Sequence, residues 1–287
     1  MSASFHTSFS SLNPITLDGI ARIIVLTNGW IGIAACLLTL QSYIILGQKI
    51  HWGAAFFVGA GTIAAYTFLR ILRIRMLVDK KDEKGTWMSG NLRFMQFLML
   101  ISGLMAAGLF LLLPDTNTML VAACSAGTTL LYGLFLRRIP GFKILVIAAV
   151  WTAGTVILPS MADGIISNNE WTLAMAQACF IFGITIPFDI RDLLVDPPSQ
   201  KTLPQIFGTF TAKAIAATLI CTGLLGYLSM FDLQMIDRNI LIALCGPALL
   251  ALGLTVAARK EFDELYYTGL IDGCMVLQGI LVALASS

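Results

Sequence analysis

The chain has 287 residues, 57% of them hydrophobic and 12% charged, with a mean hydropathy of +0.85. Soluble domains carry charge on about a quarter of their residues, so this composition excludes a water-exposed globule and indicates an integral membrane protein. A net charge of +2 and two well-separated histidines, His6 and His51, offer neither a basic nucleic-acid surface nor a histidine metal site.

Residues 1–18 are rich in Ser and Thr and precede the first basic residue, Arg22; they read as an N-terminal leader without the charged start of a cleaved signal peptide. Residues 19–287 read as a single membrane helical domain. Apolar stretches recur near 21–47, 52–74, 92–113, 118–137, 142–160, 171–188, 204–230, 239–258 and 266–285. A helix needs roughly 20 residues to cross a hydrocarbon core of about 30 Å. These runs are too long and too unalternating for barrel strands, so the expected fold is all-α and polytopic, with about nine transmembrane helices. The six cysteines (Cys36, Cys124, Cys179, Cys221, Cys245 and Cys274) fall inside these spans without a close pair and read as small packing residues.

Basic residues orient the chain. With the N-terminus inside, the inner loops and helix ends collect sixteen of the eighteen Lys and Arg, leaving Lys49 and Arg238 outside. Retention of Lys and Arg on the cytoplasmic side makes this an N-in, C-out arrangement. One helix more or fewer would scatter the later basic loops across both faces, which favours nine spans.

The sixth span ends in Asp189-Ile190-Arg191-Asp192-Leu193-Leu194-Val195-Asp196, before Pro197-Pro198. A helix continuing to the prolines places Asp189, Asp192 and Asp196 on one face at i, i+3 and i+7. Three like charges at a helix C-terminus repel one another and oppose the helix dipole, so a cation must compensate. Magnesium held by carboxylates and substrate phosphates is one reading. A solvated acidic helix end paired to nearby Arg or Lys is the other, and spacing leaves both open.

The segment from Pro187-Phe188-Asp189 through Asp196 to Lys201-Thr202-Leu203-Pro204-Gln205-Ile206-Phe207-Gly208 resembles the second aspartate motif, DxxDxxxD followed by K-T-L-P, of the UbiA-type intramembrane prenyltransferases. Tyr132 through Arg137-Arg138-Ile139-Pro140 resembles a weaker family element, and nine helices with paired inner loops match its architecture. The resemblance implies transfer of an isoprenoid chain from a prenyl diphosphate to an aromatic or other lipophilic acceptor. It also implies Mg2+ at Asp189, Asp192 and Asp196, and diphosphate contacts from Arg137, Arg138, Lys143 and Lys201. Tyr66 and Tyr132 would face the cavity and the developing cation. The implied location is a bacterial inner membrane, with the site on the cytoplasmic face.

The first family motif, NDxxDxxxD, is missing; its region of the second span carries Arg70 and Arg73 instead. Fewer metal ions than in two-motif members are therefore expected. Arg70 follows Trp52, and Asp189 follows Trp171, by the same 18 residues, which puts both at one depth. Two readings follow: the arginines contact diphosphate directly while the aspartates keep one magnesium, or they neutralise the aspartates in an ion-pair network without catalysis. A non-enzymatic transporter or structural membrane protein is the competing class. Against transport, the charge cluster lies at one membrane face rather than at the midplane.

Among the other polar residues, Asn28, Gln41, Gln177 and Gln278 read as interhelical hydrogen-bonding groups. The loop 259–267 reads as a solvated turn. Gly53, Gly59 and Gly61 read as close-packing positions. Asp272, placed near the outer half of the ninth span, is explained by neither reading.

Overall fold

The computed structural model describes residues 17–75, 83–134, 141–161, 166–194, 196 and 198–286. Among them every regular element is helical. In chain order these are α1 (Leu17–Leu26), α2 (Gly29–Ile45), α3 (Trp52–Arg75), α4 (Glu83–Gly90), α5 (Leu92–Phe110), α6 (Thr116–Leu134), α7 (Phe142–Ser160), α8 (Asn168–Arg191), α9 (Leu203–Asp232), α10 (Arg238–Ala257) and α11 (Leu265–Ala285). Seven of them are long and apolar enough to cross a membrane, and α2 is a shorter apolar helix. The leader lies largely outside the described residues.

The helices form a ring. α2 packs between α3 and α11, α3 against α6, α6 against α7, α7 against α8, and α9 and α10 complete the path from α8 back to α11. α5 lies against α3 on the outside. Large apolar side chains such as Phe97, Leu104 and Phe210 point outward, which suits a lipid solvent. Trp52 and Trp171, at the starts of α3 and α8, are 57% and 52% exposed, as expected of residues anchored at a membrane interface.

Three local breaks distinguish the helices from simple apolar rods. The first expected span, 21–47, is divided into α1 and α2 at Asn28, whose φ of 62° is left-handed. Asn is among the few residues that tolerate this conformation, and its Nδ2 donates to Thr67 Oγ1 across to α3 at 3.1 Å. The second break is a π-helical turn in α7 at Ala153–Ile157. The third is a longer π-helical turn at the start of α11, Leu265–Ile271. Each wide turn adds a residue and rotates all that follows around the helix axis.

Tight helix contacts use small residues. A Cβ on Gly183 of α8 would come within 2.6 Å of Ile220 Cγ1 and 2.9 Å of the Ala216 carbonyl oxygen on α9. Gly59 meets the Gly32 carbonyl oxygen at 3.0 Å from its would-be Cβ, whereas Gly61 has nothing within 4 Å and serves no such contact. Gly183→Val is expected to lower the unfolding midpoint of the detergent-purified protein, at a cost of about 1–3 kcal/mol, because backbone rather than a flexible side chain must move. Gly61→Ala, in open space, is the control and does not lower the midpoint.

Buried amides join helices at a distance from the aspartates. Tyr227 Oη donates to Gln177 Oε1 at 3.2 Å, and Gln278 Nε2 donates to Tyr227 Oη at 3.2 Å, linking α8, α9 and α11. Gln41 is buried, and among the described residues neither of its side-chain polar atoms has a hydrogen-bond partner.

Candidate functional site

α8 stops at Arg191 rather than continuing to the prolines. Residues Asp192–Leu194 form a 3-10 turn, and Asp196 N donates back to the Asp192 carbonyl oxygen at 2.8 Å. The expected continuous helical face is therefore replaced by a tightened turn. The three carboxylates still converge, because a single cation gathers them. Lys143 Nζ lies 2.6 Å from Asp189 Oδ1, 3.4 Å from Asp196 Oδ2 and 3.9 Å from Asp192 Oδ2. The Asp189 and Asp196 side chains are each 1% exposed and that of Lys143 is 17% exposed, so this is a desolvated cluster.

The loops position these groups. Gly141, with φ 74°, precedes α7 and donates its N–H to the Gln200 carbonyl oxygen at 3.2 Å, which pins the Lys143 end of α7 to the turn beyond Asp196. Gln205 Oε1 accepts from Thr202 N at 3.0 Å while its Nε2 donates to the Asp196 carbonyl oxygen at 3.2 Å. One glutamine thus ties the start of α9 to the last aspartate. Gly208 bends α9 one turn later, with φ 80° and ψ 164°, a conformation that L side chains resist.

Arg191 forms a second ion-pair group. Its Nε and Nη2 donate to the two Asp192 oxygens at 2.7 and 3.3 Å, and its Nη1 donates to Glu264 Oε2 at 2.7 Å. The guanidinium also lies 5.2 Å from the Phe188 ring centroid and 5.5 Å from that of Tyr267. Glu264 in turn accepts from Thr268 Oγ1 at 2.7 Å. The loop 259–267, expected to be a solvated turn, thus supplies Glu264 to the cluster and buries Tyr267 completely.

Beside these groups lies a cavity of about 190 Å³. Arg70, Lys143, Arg191, Asp192, Glu264 and Asp272 supply its charged wall. Tyr66, Tyr132, Trp151 and Phe188 contribute aromatic surface, with Ile31, Ile147, Ile181 and Ile184 among the apolar remainder. Trp151 Nε1 donates to Tyr66 Oη at 2.9 Å. Of the three aspartates, only Asp192 faces this cavity; Asp189 lines a separate hollow of about 10 Å³ with Gly141, Gln200 and Thr202.

Lys201 has φ 46° and an exposed side chain outside the cavity lining. Arg137 and Arg138 lie outside the described residues, as does the side chain of Arg73. The sequence reading left Trp151, Glu264 and Arg191 without a role in the wall, and it misplaced Asp272. Asp272 is the eighth residue of α11, buried in the cavity wall with Arg70 and Glu264, rather than near the far half of the helix. An ionisable residue inside an apolar span is the sequence signal that could have found it. The π-helical turn that aims it inward leaves no mark on hydropathy.

No family model matches the chain, and no curated relative matches it. Solved structures do. A UbiA homologue from Aeropyrum pernix K1 in its apo form superposes with a TM-score of 0.67 at 14% identity, covering 88% of this chain and 97% of that one. The chain has the UbiA fold. A UbiA homologue from Archaeoglobus fulgidus bound to GPP and Mg2+ gives a TM-score of 0.62 at 13% identity, over 91% and 99% of the two chains. A digeranylgeranylglyceryl phosphate synthase gives 0.57 at 16%, over 93% and 96%. At these identities the likeness concerns the UbiA fold itself.

Magnesium takes one or two carboxylates with waters and phosphate oxygens in an octahedron at about 2.1 Å. Here the carboxylates are turned on the Lys143 ammonium, and Asp192 is also held by Arg191. Among the described residues no three acidic, His or Cys side chains are disposed to hold a metal ion. As folded, these residues do not fit the ion.

Proposed function

We propose that the chain is an intramembrane prenyltransferase of nine spans, N-in and C-out in a bacterial inner membrane, that takes a prenyl diphosphate at its cytoplasmic face and passes the isoprenoid chain to an aromatic or other lipophilic acceptor. The observation that carries this reading is the juxtaposition of cations and rings in one cavity: Arg70, Lys143 and Arg191 share a wall with Tyr66, Tyr132, Trp151 and Phe188. The neighbour bound to GPP and Mg2+ supports the same ligand class.

In this chemistry the allylic C–O bond breaks and the diphosphate leaves with both electrons. Fixed positive charge stabilises the departing oxygen, which is where electrostatic catalysis acts. Arg70 offers a planar fork for phosphate oxygens, and Arg73, Arg137 and Arg138 add positive charge at the same face by sequence. Electron-rich ring faces suit the allylic cation left behind. The acceptor then attacks the allylic carbon and loses a proton, for which Asp272 is a buried carboxylate in the wall. A cavity of about 190 Å³ is smaller than the roughly 300–1,000 Å³ of ordinary ligand pockets, so a longer tail runs out between helices toward lipid.

The test is equilibrium binding of geranyl diphosphate to purified wild type and to Asp192→Asn, followed by release of inorganic diphosphate with a lipophilic phenol as acceptor. Binding by wild type supports the reading; no binding to either protein removes it. Asp272→Asn is expected to lower the transfer rate by about 10²-fold or more while leaving diphosphate affinity unchanged, as for loss of a proton acceptor.

A second reading is favoured by the ion pairs themselves. Lys143 and Arg191 pair with the aspartates, which is what a family-like scaffold without catalysis would show. In that case Lys143→Met and Asp189→Asn alter stability and no variant alters ligand affinity.

A further inference from the structure

Resting on the diphosphate reading above, we infer that the ammonium of Lys143 is a built-in replacement for the divalent cation at the aspartate cluster, so that this chain binds its diphosphate ligand without a metal. The ammonium stands within 2.6–3.9 Å of all three carboxylates. Its N–H groups donate to Asp189 and Asp196, and its charge reaches Asp192 at 3.9 Å. A bound metal exchanges with solvent; Lys143 cannot, because it is the second residue of α7 and the preceding Gly141 is hydrogen-bonded to Gln200 on the far side of the cluster.

Charge accounts for the remainder. One ammonium supplies less charge than one magnesium ion; Arg191 adds a second positive charge, which Asp192 shares with Glu264. A metal entering the cluster would have to displace an ammonium from two carboxylates that are almost wholly shielded from water, and so lose those contacts. The half of the cavity wall on α3 is cationic as well, through Arg70. Positive charge therefore reaches the cavity from side chains on both α3 and α7.

The experiment uses the full chain in detergent or lipid nanodiscs. Mn2+ is titrated and its free concentration read by electron paramagnetic resonance. Wild type is expected to show no saturable site tighter than about 1 mM, and Asp189→Asn to be no different. Lys143→Met removes the tethered cation and is expected to gain a Mn2+ site at least about tenfold tighter, lost again in Lys143→Met/Asp189→Asn. A wild-type site tighter than about 100 µM that Asp189→Asn abolishes overturns the inference; this arm needs no variant at Lys143.

A second arm measures binding of geranyl thiolodiphosphate, a slowly reacting probe, in EDTA and in magnesium. Equal affinity in the two is expected. Binding that appears only with magnesium overturns the inference and leaves the prenyltransferase reading standing. Absence of binding in both removes that reading and the claim about its ligand, while the Mn2+ titration still decides which cation the aspartates hold.

Discussion

Lys143→Met is expected to destabilise the purified protein by about 3–5 kcal/mol, the usual cost of removing one partner from a buried ion pair. The reason is that Asp189 and Asp196, nearly inaccessible to solvent, lose the ammonium that offsets them. Asp189→Asn is expected to cost less, since Lys143 retains Asp192 and Asp196. The double variant should be more stable than the two losses added together, because each substitution removes the same contact. Thermal unfolding of the four proteins completes the cycle, and strict additivity would show that the 2.6 Å pair carries no coupling. Mn2+ added to Lys143→Met is expected to raise its midpoint while leaving wild type unaffected, since a ligand that binds only the folded state stabilises it.

Arg70→Ala is expected to weaken binding of a prenyl diphosphate by about 10- to 100-fold, corresponding to the roughly 1.5–3 kcal/mol of a charge-assisted hydrogen bond. Arg70→Lys should recover part of the loss, since it restores the charge without the planar fork. Arg70 lines the cavity from α3, opposite the aspartate motif in sequence but beside Asp192 and Asp272 in space. Unchanged affinity in Arg70→Ala, with a lowered unfolding midpoint, would assign this arginine to the ion-pair scaffold. The two predictions separate the halves of the site: one concerns what holds the aspartates together, the other what meets the ligand.

Much of the frame was legible because lipid imposes a length and a composition on each helix. Expected spans such as 52–74 and 142–160 coincide with α3 and α7 to within a few residues. The equal offset of Arg70 and Asp189 from two tryptophans foretold that both would reach the same end of the bundle. The break at Asn28 was less legible, because a single left-handed residue inside an apolar run leaves mean hydropathy unchanged. Within the site, the residue types of the aspartate motif were plain in the sequence. Their partners were not, since Lys143 was read as a clamp for diphosphate and Glu264 as part of a solvated loop.

The sequence by itself determined that this chain is a helical membrane protein, because apolar length is a local property. Only the tertiary structure decided which cation meets which carboxylate. That choice depends on the Gly141–Gln200 loop contact, on the 3-10 turn after Arg191 and on the π-helical turn ahead of Asp272. Each of these sets the direction of a side chain by a rotation about a helix or a loop closure. Spacing along the chain carries no information about either.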